Sequence, residues 1–271
     1  MTKKQFCIIG TDTGIGKTYV TCSLLRHLSN QNKKVAALKP IASGLTQIDN
    51  QLINTDTSKL IQVINVSQTA YEINPICYPD AVAPHIAAKI IASKNHDLEI
   101  HNLDKHSNHI LEKSENIISI NNKSVSTDNT LSVAKIIAAS STTVNNTEYD
   151  YLLIEGCGGL LVPLNDNETY LDLLKAWQFP VILVVGMRLG CLNHALLTYE
   201  CLKSSNIPIT GWIANYINPQ MPYLEDNVNF LIDKLPIPLL ATAPYNQELL
   251  FTTNNLNCYS AEKQKHIIPI D

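Results

Sequence analysis

Charge is scarce in this chain of 271 residues: Asp, Glu, Lys and Arg together supply 16% of it, well under the roughly 25% of ordinary soluble domains. The polar surface must therefore be largely neutral, and Asn, Ser and Thr provide it. No basic excess is present, since the formal net charge is -4. The chain thus offers no positive field to gather along a phosphate backbone, and bulk nucleic-acid binding is not expected. Long apolar runs are missing as well, none approaching the ~18 residues that cross a bilayer. Behind Lys3 and Lys4 only Phe6 to Ile9 are apolar before Gly10 and the polar Thr11-Asp12-Thr13, too short a run for an export signal. A soluble, cytoplasmic protein with no membrane partner is the expectation. The seven cysteines are odd in number and include no Cys-x-x-Cys pair, so neither a disulfide framework nor a thiolate zinc site is indicated.

What is present is a 45% hydrophobic content, enough for a substantial core in one large domain or two small ones. Short apolar runs alternate with longer periodic stretches. Strands are expected at Phe6 to Ile9, Val35 to Leu38, Tyr151 to Ile154, Val181 to Val185, Ile209 to Ala214 and Pro238 to Ala241. Helices are expected at Lys17 to Asn30, Thr57 to Ile64, His85 to Ala92, Leu131 to Ala139, Tyr170 to Trp177, Cys191 to Ser204 and Asp226 to Leu235. Several strands are apolar on both faces, as strands inside a helix-covered parallel sheet must be. The expected fold is one doubly wound α/β domain over residues 1–271, with a mostly parallel sheet and helices on both faces. Ser93 to Asn129 interrupts the pattern with dense Asn, Ser, Lys and His, and reads as a polar insert too poor in apolar surface for its own core. Ser140 to Thr147 reads as a polar linker. His96, His101, His106 and His109 in the insert fit no metal-binding pair at one helical turn.

The strongest chemical signal is Gly10-Thr11-Asp12-Thr13-Gly14-Ile15-Gly16-Lys17-Thr18, set between the first strand and the first helix. Glycines let successive N–H groups face a polyphosphate, Lys17 reaches its terminal phosphates, and Thr18 offers a hydroxyl to Mg²⁺. Five residues separate Gly10 from Gly16, one more than the strict form of the motif, which marks a variant subclass. Lys39 follows the second strand at its carboxyl end, where ligands gather in open α/β sheets. Position alone leaves it open between a site residue shared with Ser43 and a solvated strand-end lysine. Glu155, followed by Gly156-Cys157-Gly158-Gly159, places a carboxylate at the end of a buried strand, as a magnesium site requires. Asp56 could add a second carboxylate or simply cap the following helix.

Those residues resemble the dethiobiotin synthetase family, and the likeness extends over most of the chain. It is carried by GTDTGIGKT at Gly10 to Thr18, LKPIASG at Leu38 to Gly44, LIEGCGGLLVPL at Leu153 to Leu164 and VILVVGMRLGCLNHALLT at Val181 to Thr198. The shorter APHIAA, GWIAN and PIPLLATAPY also fit, and the lengthened phosphate loop is the family's own form, within the P-loop NTPase class. The resemblance implies ATP- and Mg²⁺-dependent ring closure of 7,8-diaminopelargonic acid with CO₂ to dethiobiotin, through a carbamate and a carbamic-phosphoric mixed anhydride, with ADP and phosphate released. It implies that Lys39, Lys17 and Thr13 serve the chemistry, that Ser43 contacts substrate, and that Thr18, Asp56 and Glu155 hold the metal. For ATP it implies Gly14, Ile15, Gly16, Lys17, Thr18, Tyr19, Asp56, Glu155, Gly156, Cys157, Gly158, Asn215, Tyr216, Pro244, Tyr245 and Asn246. It also implies a homodimer whose substrate carboxylate rests on the partner's turn at Gly190, Cys191 and Asn193, where a helix N-terminus favours an anion. Tyr216 and Tyr245 stand where the family often has Asp and Trp. A nucleophilic Cys191 has no support in its neighbours beyond Arg188.

A switch ATPase of the partitioning type shares the fold, but such proteins carry a further lysine inside the loop, where this chain has Thr11, Asp12 and Thr13. An amidotransferase-type synthetase would need a glutaminase domain for which the chain is too short.

Overall fold

The computed structural model describes residues 3–48, 51–101, 130–146 and 148–252. The apolar runs form the sheet. The strands β1 (Lys4–Gly10), β2 (Val35–Leu38), β7 (Tyr151–Glu155), β8 (Val181–Gly186), β9 (Ile209–Asn215), β10 (Leu239–Ala243) and β11 (Leu250–Phe251) lie in the order β11-β10-β9-β8-β1-β7-β2. All neighbours pair parallel except β10 and β11. Because β7 is inserted between β1 and β2, the chain leaves β1 in one direction and β7 in the other. Their carboxyl ends therefore border the crevice where doubly wound folds bind ligands.

Alternation along β1 shows how the layers are built. Phe6 and Ile8 pack with the cluster of α1 (Lys17–Asn30), α2 (Thr55–Ile61) and α3 (Ala70–Ile73). Cys7 and Ile9 pack on the opposite face with α4 (Pro84–His101), α5 (Val133–Asn145) and α6 (Tyr170–Trp177). Farther along that second face, Leu183, Val185 and Trp212 pack against α7 (Cys191–Ser204) and α8 (Leu224–Lys234). With both faces covered, every residue of β2, β7 and β8 is buried, which is why these strands lack the alternation of a half-exposed strand.

Two expectations need correction. The polar segment after Ala139 does not leave the helix: α5 runs to Asn145, because Ser140 and Thr143 turn inward and the Thr143 hydroxyl donates to the Glu72 carbonyl at 2.6 Å. Likewise α4 continues to His101, through the first residues of the expected insert; positions 102–129, with His106 and His109, lie outside the described residues. Short elements escaped the sequence pattern altogether, namely the parallel pair β3 (Ile41–Ser43) and β6 (Ile76–Tyr78) and the hairpin β4 (Thr46–Ile48) with β5 (Gln51–Ile53). Three residues are too few to display a period. Among the described residues no helix is long and apolar enough to cross a membrane.

The β9–β10 contact depends on a missing side chain. A Cβ at Gly211 would lie 2.6 Å from the Pro238 carbonyl oxygen and 2.7 Å from Leu240 Cγ, so two neighbouring strands would have to part. Gly211→Ala is expected to lower unfolding free energy by about 1–3 kcal/mol, read as a lower urea midpoint. An unchanged midpoint would show that β10 yields freely.

Candidate functional site

The site begins with a register. Leu38, the last residue of β2, pairs with Ile154 of β7. The next residues, Lys39 and Glu155, therefore emerge side by side from adjacent parallel strands roughly 4.8 Å apart. Their side chains meet: Lys39 Nζ donates to Glu155 Oε1 at 2.6 Å, and both side chains are almost wholly buried. The Lys39 main chain is fixed as firmly, its N–H donating to the Ile73 carbonyl at 2.6 Å and its carbonyl accepting from Asn74 Nδ2 at 2.7 Å. Lys39 is a built component of the interior and not a solvated strand-end lysine.

Asp56 completes the pair of carboxylates, its Oδ2 lying 3.0 Å from Lys39 Nζ. It does not cap α2. That role belongs to Asn54, whose Oδ1 accepts from the main-chain N–H groups of Asp56 and Thr57. Asn54 Nδ2 meanwhile donates to the carbonyls of Ser43 and Gly44. One asparagine thus ties the end of β3 to the helix that carries Asp56. The only advance sign of this role was an Asn just before a helix start, which is the signature of a cap.

Burial disfavours the charge on Lys39, but Glu155 and Asp56 outweigh it and hold its pKa above the usual lysine range. Burial also works against the Asp56 anion, yet the charge of Lys39 and its hydrogen bond keep that carboxyl below its ordinary value. Lys39 and Asp56 are therefore both charged at neutral pH.

The phosphate loop closes over the same spot. Gly16, at φ 82°, begins α1 in a left-handed conformation, and a Cβ there would sit 2.1 Å from Asn215 Nδ2. The Asn215 amide donates to the Ile15 carbonyl at 2.7 Å, so the end of β9 braces the loop from behind. Thr18 Oγ1 donates to Glu155 Oε1 at 2.7 Å. The Lys17 ammonium donates to the carbonyls of Asp12 at 2.9 Å and Gly158 at 2.6 Å. Burial, with the Lys39 cation nearby, brings Lys17 down to about 8. A Cβ at Gly158 would lie 2.6 Å from Val162 Cγ2 and 3.3 Å from Thr13 Oγ1, so a side chain there would crowd both its own loop and the phosphate loop.

Glu155 shows what the cluster lacks. Two donors, from Lys39 and Thr18, converge on its Oε1, whereas Oε2 is buried without any hydrogen-bond partner. A buried carboxylate oxygen left unsatisfied is costly. With Asp56 and the Thr18 hydroxyl beside it, the donor set is oxygen alone, which suits a hard cation such as Mg²⁺.

The remaining expected residues lie on other loops of the same sheet edge. Ser43 ends β3 and is half-buried. Gly190, at φ 92°, opens α7 and is exposed, as is Asn193, while Cys191 is buried with its thiol pushed up by that burial. A thiol so placed is no nucleophile at neutral pH. Cys157 is raised in the same way. The Tyr216 N–H donates to the Ala243 carbonyl and its hydroxyl reaches Glu225 at 3.5 Å. Pro244, the half-exposed Tyr245 and Asn246, at φ 55°, make a turn that the Tyr19 hydroxyl fastens through the Gln247 carbonyl. The sequence reading missed an ion pair between Asp12 and Arg188 at the mouth.

The AAA domain family model matches residues 4–118 and 103–253. The ATP-dependent dethiobiotin synthetase BioD of Pseudoalteromonas translucida is 36% identical over 245 residues, spanning 90% of this chain and 92% of that protein. The chain belongs to the dethiobiotin synthetase family. Its relative from Legionella pneumophila strain Paris, of the same name, is 37% identical over 246 residues, covering 91% of this chain and 96% of the other. Among solved structures, the septum site-determining protein MinD of Pyrococcus horikoshii, complexed with Mg-ADP, is 19% identical with a TM-score of 0.46, covering 90% of this chain and 82% of that one. For this synthetase family member the lengthened phosphate loop and the Lys39–Glu155 pair lie at one crevice.

Removing one partner of a buried ion pair strands the other. Glu155→Gln is therefore expected to cost about 3 kcal/mol of unfolding free energy, and Asp56→Asn, whose side chain is one-third exposed, less than about 1 kcal/mol. Urea unfolding of both variants checks the order; equal losses would mean that Asp56 shares the Lys39 charge on equal terms.

Proposed function

We propose that the chain is an ATP-dependent ligase that closes the ureido ring of dethiobiotin from 7,8-diaminopelargonic acid and CO₂. The observation that carries this reading is Lys39, buried between Glu155 and Asp56 and bordered by Lys17 and Thr18 of the phosphate loop. The reaction must join two anions, the carbamate of the substrate and the γ-phosphate of ATP, and disperse the charge of the transferring phosphoryl group. That is an electrostatic task for pre-positioned cations.

Lys17 is the mobile cation of the site. Its ammonium now rests on two main-chain carbonyls, and phosphate oxygens offer it a charged acceptor in their place, a bond roughly twice as strong. Lys39 is the fixed cation. Held from both sides, it presents its charge where carbamate and γ-phosphate oxygens meet, and it lowers the repulsion between them as they approach in line. Thr18, Asp56 and Glu155 would hold Mg²⁺, which when bound neutralises charge on the phosphate oxygens. Phosphoryl transfer to the carbamate gives the carbamic-phosphoric anhydride; attack by the second amine on its carbon closes the ring and expels phosphate.

Thr13, packed against Gly158, lies where the transferred group would pass, and Ser43 offers a hydroxyl toward the diamine. Gly14 to Tyr19 and Glu155 to Gly158 would wrap the nucleotide, with Asn215, Tyr216 and Pro244 to Asn246 on the side of its base. Asn215 spends one N–H on Ile15, which leaves its second N–H and its carbonyl for adenine. The substrate carboxylate would rest at Gly190, Cys191 and Asn193 of a second copy of the chain, on the N-terminus of α7. This makes the enzyme a homodimer that needs no charged side chain for that contact.

Phosphate release from MgATP should require both diaminopelargonic acid and bicarbonate, with dethiobiotin identified by mass spectrometry. Lys39→Ala should lower product formation by at least about a thousandfold, the size of effect that loss of a transition-state charge partner produces, and still bind ADP. Release without either co-substrate would point to an ATPase instead, and a Lys39→Ala protein that forms dethiobiotin normally would remove Lys39 from the chemistry.

A further inference from the structure

Arg188, on the loop between β8 and α7, is engaged at both its ends. Its guanidinium pairs with Asp12 Oδ2 on the phosphate loop, 176 positions away. Its main-chain carbonyl accepts from the Cys191 N–H at 3.0 Å, where α7 begins. Asp12 is equally occupied. Its Oδ1 accepts from the Thr13 N–H at 2.7 Å, and its main-chain carbonyl accepts from the Lys17 ammonium at 2.9 Å. Lys17, Asp12, Arg188 and Cys191 therefore form one unbroken line of polar contacts from the phosphate loop to the start of α7. The ion pair in its middle has side chains 43% and 41% exposed, so it can yield without leaving a buried charge.

Each end of this line is a donor that a ligand would claim. Phosphate oxygens draw the Lys17 ammonium from the Asp12 carbonyl, and a carboxylate on α7 draws the Cys191 N–H from the Arg188 carbonyl. Whichever ligand binds first bears the cost of loosening the line, and the second then meets it already loosened. Two ligands that shift one element the same way bind cooperatively, and the coupling is reciprocal.

We propose that Arg188 is a positioning residue that, through Asp12, couples nucleotide occupancy of the phosphate loop to carboxylate occupancy of the α7 N-terminus. The proposal rests on the ATP and diaminopelargonic acid reading above. In the homodimer of that reading, the α7 turn serves the other subunit's substrate, so the line runs between the two active sites.

Calorimetric titration of the full chain with diaminopelargonic acid, alone and with a saturating non-hydrolysable ATP analogue and Mg²⁺, measures the coupling. For the unaltered protein the analogue should tighten diaminopelargonic acid binding by about fivefold or more, within the usual range of coupling between sites. Arg188→Gln should reduce the factor to less than about twofold, Arg188→Lys should recover part of it, and Asp12→Asn should lose it as Arg188→Gln does. The double variant should be no worse than either single one, as members of one line require. Asp12→Asn provides the same test should Arg188→Gln not fold. Full coupling retained in a folded Arg188→Gln or Asp12→Asn protein would overturn the proposal. So would an equal loss of diaminopelargonic acid affinity with and without nucleotide, which would make Arg188 a direct substrate contact. An unaltered protein that binds both ligands without coupling would overturn this inference alone, whereas one that does not bind diaminopelargonic acid would overturn the functional reading beneath it.

Discussion

A lysine buried between two carboxylates is the constraint from which the rest of the site follows. Lys39 is only 4% exposed, and a cation so placed is tolerable only while Glu155 and Asp56 stay within reach. Glu155 stays because β2 and β7 are neighbours in a fixed parallel register, each buried on both faces. Asp56 stays because Asn54 caps α2 and anchors it to the end of β3. The short α3 serves the same end through Ile73 and Asn74, which hold the Lys39 main chain. Elements that look incidental in the topology thus fix one ammonium group.

Around this fixed cation, the phosphate loop is the adjustable part. Lys17 rests on carbonyl oxygens, Asp12 on an exposed ion pair, and Glu155 Oε2 on nothing. Neutral, missing or solvent-exposed partners of this kind are given up at little cost, whereas those of the buried, strongly paired Lys39 are not. The division suits the phosphoryl transfer proposed for this site, which needs one cation held in place and another free to take up phosphate oxygens.

Much of the fold was legible because its elements are long and periodic. Val35 to Leu38, Lys17 to Asn30, Tyr170 to Trp177 and Cys191 to Ser204 have the bounds that their apolar spacing indicates. The ends of α4 and α5 were not legible, because Asn, Ser and Thr suit a loop as readily as a helix that turns them inward. At the site, the phosphate loop and Glu155 announce themselves by type and position. Lys39 was ambiguous from position alone because a strand end can face water or a crevice; the adjacent strand decides, and it is more than a hundred residues away. The anchoring of Asn54 to Ser43 and Gly44 and the Asp12–Arg188 pair depend on tertiary contacts for which no local pattern exists.

The path of one oxygen atom tests the chemistry most directly. If the carbamate accepts the γ-phosphoryl group, one of its oxygens becomes the bridge of the mixed anhydride and leaves with phosphate when the ring closes. A single turnover started with ¹⁸O-labelled CO₂ should therefore release phosphate carrying one labelled oxygen, with a second label in the ureido carbonyl. Dethiobiotin formed alongside unlabelled phosphate would contradict phosphoryl transfer to the carbamate at the Lys39 cluster.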